Sequence, residues 1–210
     1  MKKNITGKEL NVLIAKLADS SRDEHLKTLS VVIIKNYTIT THLIDIAFSQ
    51  INKMDISILR ITFENCVFEK KVSFKNKTAK LEQLGLTFAG CVFKRKLKFQ
   101  PYRSELRPSV NLHDTEAPEI VIDGIPRIVL SNLTSPIVSI YRYDYQGKMS
   151  ISLGRIYVRS LEMTNLEKYE GLSIGQCHEA SVPILRNFFP ILPISSVYCD
   201  QGSTLGSRPI

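Results

Sequence analysis

One segment of this chain is written twice. Ile61-Thr62-Phe63-Glu64-Asn65-Cys66-Val67-Phe68 returns 25 residues later as Leu86-Thr87-Phe88-Ala89-Gly90-Cys91-Val92-Phe93. The match runs on, with Val72-x-Phe74 answering Leu97-x-Phe99. Twenty-nine residues upstream, Val32-x-Ile34-x-Asn36-Tyr37-x-Ile39 fits the same frame and leads to Leu43. Apolar residues at every second position predict strands with one buried face. A frame that recurs at 20–50 residues predicts units that stack on one another, because no single unit buries its apolar face alone.

Asn36, Asn65 and Gly90 share one slot, and Asn and Gly are the residues that tolerate positive φ. A corner at that slot lets two short strands meet with both apolar sets pointing inward. Fainter copies read as Ile120-x-Ile122-x-Gly124, Ile151-x-Leu153-Gly154 and Leu172-x-Ile174-Gly175-x-Cys177, which puts further corners at Gly124, Gly154 and Gly175. The inward columns become Ile34/Phe63/Phe88, Ile39/Phe68/Phe93, Leu43/Val72/Leu97 and Tyr37/Cys66/Cys91. The expected fold is mainly β: a single-stranded right-handed parallel β-solenoid of about six irregular coils. An antiparallel sandwich or an α+β sheet is the competing reading, since it also yields short alternating strands. On these residues the chain resembles right-handed parallel β-helix proteins, and ENCVF and AGCVF resemble degenerate pentapeptide-repeat coils. The resemblance spans residues 31–178 and implies a rigid rod that binds macromolecules, usually without catalysis.

A stack of strands has two open ends that must be covered. Thr6-Gly7-Lys8-Glu9 is a capping box, followed by Leu10, Leu13, Ile14 and Leu17 on one helical stripe. Ser21-Arg22-Asp23-Glu24 repeats the signal, with Leu26 and Leu29 continuing the apolar face, so two short helices are expected. The domain reading is a helical cap over 1–30, the solenoid over 31–180, and a Pro-rich cap and tail over 181–210. In that last region Val182–Ile194 is apolar and holds three prolines, either capping the last coil or docking a partner.

The charge is lopsided. Residues 1–100 carry 18 Lys+Arg against 9 Asp+Glu, whereas all nine prolines fall beyond residue 100. That shift raises a possible boundary near Gln100-Pro101, where PYRSELRPS reads as a loop; the repeat favours a continuous fold with a basic end. A hydrophobic share of 43% suits a globular core, and no apolar run is long enough to span a bilayer. The charged amino-terminal stretch does not suit a signal peptide, and four cysteines without one point to reduced thiols and a cytoplasmic location.

In the repeat frame Lys70 and Lys71 align with Arg95 and Lys96, with Lys94 and Lys98 flanking them. Either this is a solvated edge serving solubility, or it is a positive ladder for phosphates or an acidic protein face. Tyr141, Tyr143 and Tyr145 alternate along one strand, a pattern that suits a partner-binding stripe or an ordinary packed strand. An acidic protein surface is the favoured partner over nucleic acid, because no aromatics interleave the ladder. No cofactor is expected. The histidines lie far apart with no zinc-ligand spacing, and no phosphate-cradling glycine loop is present. Cys177 and His178 are neighbours on a strand and point to opposite faces, so they do not pair; Cys66, Cys91 and Cys177 are expected inward and inert, and Cys199 reactive. The alternative function is a polymer-acting hydrolase or lyase drawing on His113, Asp114 and Glu116, with Asp114-Thr115-Glu116 and Glu119 reading as a proline-flanked loop.

Overall fold

The computed structural model describes residues 2–21, 28–44, 51, 53–74, 81–100, 107–141, 150–163, 171–174, 176–177 and 198–199. The protein is mainly β, with parallel strand pairing throughout the described ladders and a helix near the amino terminus. The chain opens with β1 (Lys3–Ile5) and α1 (Gly7–Ser20), then enters β2 (Leu29–Lys35), β3 (Tyr37–Ile39) and β4 (Leu43–Ile44). A second pass lays down β5 (Ile58–Glu64), β6 (Val67–Phe68) and β7 (Val72–Phe74), and a third lays down β8 (Gln83–Ala89), β9 (Val92–Phe93) and β10 (Leu97–Phe99). Beyond these come β11 (Arg107–Glu116), β12 (Glu119–Asp123), β13 (Arg127–Thr134), β14 (Ile137–Tyr141), β15 (Ser150–Tyr157) and β16 (Ser160–Met163). The described strands end with β17 (Gly171–Ile174), β18 (Gln176–Cys177) and β19 (Tyr198–Cys199).

Two sheets result. The smaller runs β4-β7-β10-β12-β14-β16, one strand from each pass, and the larger holds the remaining 13 described strands. Each pass lies in register beside the one before. Ile34 partners Phe63, which partners Phe88, which partners Leu112, then Leu130 and Leu153. Ile39/Phe68/Phe93 and Leu43/Val72/Leu97 are likewise register partners, as their sequence alignment requires. The pairing of 61–68 with 86–93 is parallel, which rules out the antiparallel pairing of these segments that a sandwich requires.

Inside, the phenylalanines stack in rungs. Phe63 lies face to face with Phe88 at 4.9 Å, Phe68 with Phe93 at 4.6 Å, and Phe74 with Phe99 at 5.4 Å. Phe88 also meets Phe68, Phe74, Phe93 and Phe99 edge-on or tilted, so it touches all five other rings of the group. Offset and edge contacts of this kind add to the area that each ring removes from water.

The corners fall where positive φ is found. Asn36 (φ 60°), Asn65 (52°) and Gly90 (61°) occupy the expected slot. The later corners differ from the expectation: the same column continues through Asp114, Asn132 and Arg155, with φ of 50°, 49° and 43°. Gly154 precedes its corner by one residue. Gly124 has positive φ but ends β12 in the smaller sheet, so Ile120 and Ile122 stack on Leu97 and Phe99 and not on Phe88. Gly175 lies outside the described residues. Asp114, Thr115 and Glu116 are strand residues of β11 and not a loop, because the strand continues through its left-handed residue. Residues 101–106 of the expected loop at Pro101 lie outside the described residues, and Arg107–Ser109 already belong to β11.

The capping box forms as expected: the Glu9 backbone N–H donates to Thr6 Oγ1, and the Thr6 backbone N–H donates to the Glu9 carboxylate. α1 buries Leu10, Ile14 and Ala18 against the first pass, with Leu13 and Leu17 half-buried beside them. Buried Ser30 donates to the carbonyl of Ala18 at 2.8 Å, tying the helix end to β2. Of the second expected helix, residues 22–27 lie outside the described residues. Leu29 belongs to β2 and not to a helix, because its neighbours alternate with the strand period.

Candidate functional site

The register that stacks the phenylalanines also stacks the segments before the smaller sheet. Because Leu43, Val72 and Leu97 are partners, His42, Lys71 and Lys96 stand level, and Thr41, Lys70 and Arg95 stand level one residue earlier. Backbone bonds hold that alignment: Leu43 N–H donates to the Lys71 carbonyl, and Val72 N–H to the Lys96 carbonyl. Lys70, Lys71, Lys94 and Arg95 are exposed. Among the described residues none of these four makes an ion pair. Glu69, the residue opposite Lys94, does not reach it. Lys96 is different: its Nζ pairs with the Glu119 carboxylate one pass further on. The turn between β11 and β12 is a residue shorter than that between β9 and β10, so Glu119 sits level with Lys96 where simple repetition places a cation.

Lys98 is set apart from the others. It lies mid-strand in β10 on the outward face of the smaller sheet, between Ser73 and Val121. Tyr141 closes β14 on the same outward side, and its hydroxyl donates to Glu162 Oε2 at 2.7 Å, with Ser139 Oγ near the same oxygen. That hydroxyl is therefore satisfied within the fold. Tyr143 and Tyr145 lie outside the described residues, as do Lys75, Lys77 and Lys80.

His113 and Asp114 meet at the fourth corner. His113 Nδ1 is 3.1 Å from Asp114 Oδ2, and the Asn132 amide of the next corner donates to Asp114 Oδ1. The Asn132 hydrogen bond, then that of His113, holds the Asp114 carboxyl below its ordinary value. Glu116 lies beyond the bend, paired in register with Val92 on the second wall, while His113 ends the first wall. The three residues flank a structural corner, with His113 before the bend, Asp114 at it and Glu116 beyond it.

The slot after each corner has its own chemistry. Cys66 donates to the carbonyls of Ile34 and Glu64 at 3.5 Å, and Cys91 to those of Phe63 and Ala89 at 3.4 and 3.6 Å. Thr115 in the next pass makes the same two contacts, to Phe88 and His113. In these three passes the side chain is small and carries one donor, which covers the carbonyl two residues back and the one from the pass before. Both thiols are fully buried and unbonded. The hydrogen bond from the Cys91 thiol draws Cys66 below the ordinary thiol range, while that same bond and burial push Cys91 up. Cys177 takes the corresponding backbone place, in register with Ile156. His178 lies outside the described residues.

Among the described residues no group of three or more His, Cys, Asp or Glu is placed to hold a metal ion. No helix there is long and apolar enough to cross a membrane. No protein-family model matches this chain, and no curated protein or solved structure matches it either.

Proposed function

We propose that the chain is a right-handed β-solenoid that acts as a non-catalytic binding protein, presenting a basic corner to an acidic protein surface. One observation carries the reading: Lys70, Lys71, Lys94 and Arg95 are exposed and lack ion-pair partners among the described residues, on two adjacent passes held in register. Adjacent parallel strands lie about 4.8 Å apart, so the cations form a compact patch whose members mildly repel one another. The fold pairs Lys96 with Glu119 and leaves these four open, an arrangement that suits an anionic partner. An acidic protein is favoured over nucleic acid because, among the described residues, no aromatic side chain is interleaved with Lys70, Lys71, Lys94 and Arg95 along the chain to stack a base.

The test is capture from native lysate after nuclease digestion, comparing the wild type with the double reversal Lys71→Glu/Arg95→Glu. The expected result is a nuclease-resistant, salt-sensitive partner whose binding falls at least tenfold in the variant while thermal stability holds or rises slightly. A partner lost on nuclease treatment transfers the reading to nucleic acid. A partner that ignores both salt and the reversal refutes the corner as a binding site.

A further inference from the structure

The four cysteines of the chain do not scatter. Cys66 and Cys91 are neighbours in one column, and Cys177 and Cys199 are register partners further along the same larger sheet. Every cysteine thus has another cysteine on the adjacent strand. That packing role does not require sulfur, since Thr115 fills the next place of the column with the same two carbonyl contacts.

We infer that Cys66 and Cys91 are an oxidisable dithiol pair that closes to a disulfide joining two adjacent passes. Cys66 and Cys91 each stand one residue before the register partners Val67 and Val92, and the Val92 N–H donates to the Cys66 carbonyl at 2.9 Å, so their Cα atoms are separated by about the 4.8 Å of neighbouring strands. Disulfides accept Cα separations of about 4.4–6.8 Å, so the spacing of the passes admits the bond, with the two Cβ atoms drawn together from the strand spacing toward about 3.8 Å. Both thiols stand just behind a corner, next to Asn65 and Gly90, of which Asn65 is exposed. Burial excludes bulky reagents, and a small peroxide is the fitting oxidant. In the first step the Cys66 sulfur attacks a peroxide oxygen, the O–O bond breaks, and a sulfenic acid and water form. Cys91 then attacks the Cys66 sulfur, the S–O bond breaks, and the Cys91 proton leaves with the departing hydroxyl as a second water. Two thiols lose two electrons and the peroxide is reduced to two waters.

The location gives the bond a consequence. Cys66 precedes Lys70 by four residues and Cys91 precedes Arg95 by four, so the link ties together the two passes that carry the exposed cations. The inference stands on the cysteine register alone and holds whether or not the basic corner binds a partner.

The experiment treats the folded full-length chain with graded hydrogen peroxide, then blocks remaining thiols in denaturant and maps peptides without reduction. The expected result is simultaneous loss of the thiols at 66 and 91, a cross-linked peptide pair 2 Da lighter than its parts, and full reversal by dithiothreitol. Cys66→Ser and Cys91→Ser each abolish that cross-link, and a folding failure of either variant leaves the wild-type map decisive. Thiols at 66 and 91 that stay free, that oxidise separately to sulfinic acids, or that cross-link only after unfolding overturn the inference.

Discussion

Phe88 is the residue on which the interior of this protein most depends, and Phe88→Ala tests that directly. The ring is fully buried and contacts Phe63, Phe68, Phe74, Phe93 and Phe99. Loss of its transfer free energy costs about 1.5–3 kcal/mol. The void left behind, roughly 100 Å³ at about 24 cal/mol per Å³, adds about 2.4 kcal/mol if the neighbours do not collapse. Neighbouring rings stacked in three separate rungs have little room to move inward, so a loss near 4 kcal/mol is expected. In a chain of this size that lowers Tm by roughly 8–16 °C. Urea unfolding followed by far-ultraviolet circular dichroism measures the loss, with Phe99→Ala as the internal comparison. Phe99 meets only Phe74 and Phe88 in the same group and should cost measurably less. A Phe88→Ala loss below about 1.5 kcal/mol, or one no larger than that of Phe99→Ala, would refute the claim that the stack is packed around this ring.

Three further perturbations address the corners and the cap. Gly90→Ala should destabilise strongly, because φ is positive and a Cβ there would lie 2.5 Å from Asn65 Oδ1. Adding Asn65→Gly removes the clash but not the backbone strain, so denaturation of the double variant should show partial recovery. Gly7→Ala should also destabilise despite alanine's higher helix propensity. Its Cβ would approach the His42 backbone carbonyl to 2.5 Å, and a thermal melt unchanged or raised would contradict that packing. Asp114 should give the protein an acid-sensitive component. Its folded pKa lies below the ordinary 3.8, so its stabilising contribution is present above that value and is lost as pH falls through the folded pKa. Melts between pH 6 and pH 2 should show Asp114→Asn losing less stability than the wild type on acidification, and parallel profiles would remove Asp114 from the account.

The first three passes were legible because their signals agree with one another. Phe63 and Phe88 sit two residues before Asn65 and Gly90, and each pair is followed by Cys-Val-Phe, so strand period, corner chemistry and repeat length all name the same frame. The later passes misled for a physical reason. Their corners are Asp114, Asn132 and Arg155, and the nearby Gly124 and Gly154 look like better turn formers. Arginine at φ 43° carries no sequence signal for a left-handed corner. Val110-x-Leu112-x-Asp114 and Ile128-x-Leu130-x-Asn132 do hold the frame, and weighting Asp and Asn equally with Gly finds them. The same shift hid the Lys96–Glu119 pair, since only the correct frame places Glu119 beside the lysine. The openness of Lys70, Lys71, Lys94 and Arg95 needed side-chain geometry, because sequence gives the level of a charge but not whether its neighbour reaches it.

The in-register stacking has a mechanical side. Hydrogen bonds between parallel strands point across the strands, from each pass to the next, so tension applied between β1 and β19 falls along the bonds and not across them. Loaded this way the ladder is peeled and not sheared, and because the passes bear the same tension in series, the most weakly held seam parts first. Extension should proceed as a series of small force steps, with release lengths set by the 18 to 29 residues that separate successive corners. The seam between β5–β7 and β8–β10 should resist longest, because its three stacked ring pairs must separate together with its backbone bonds.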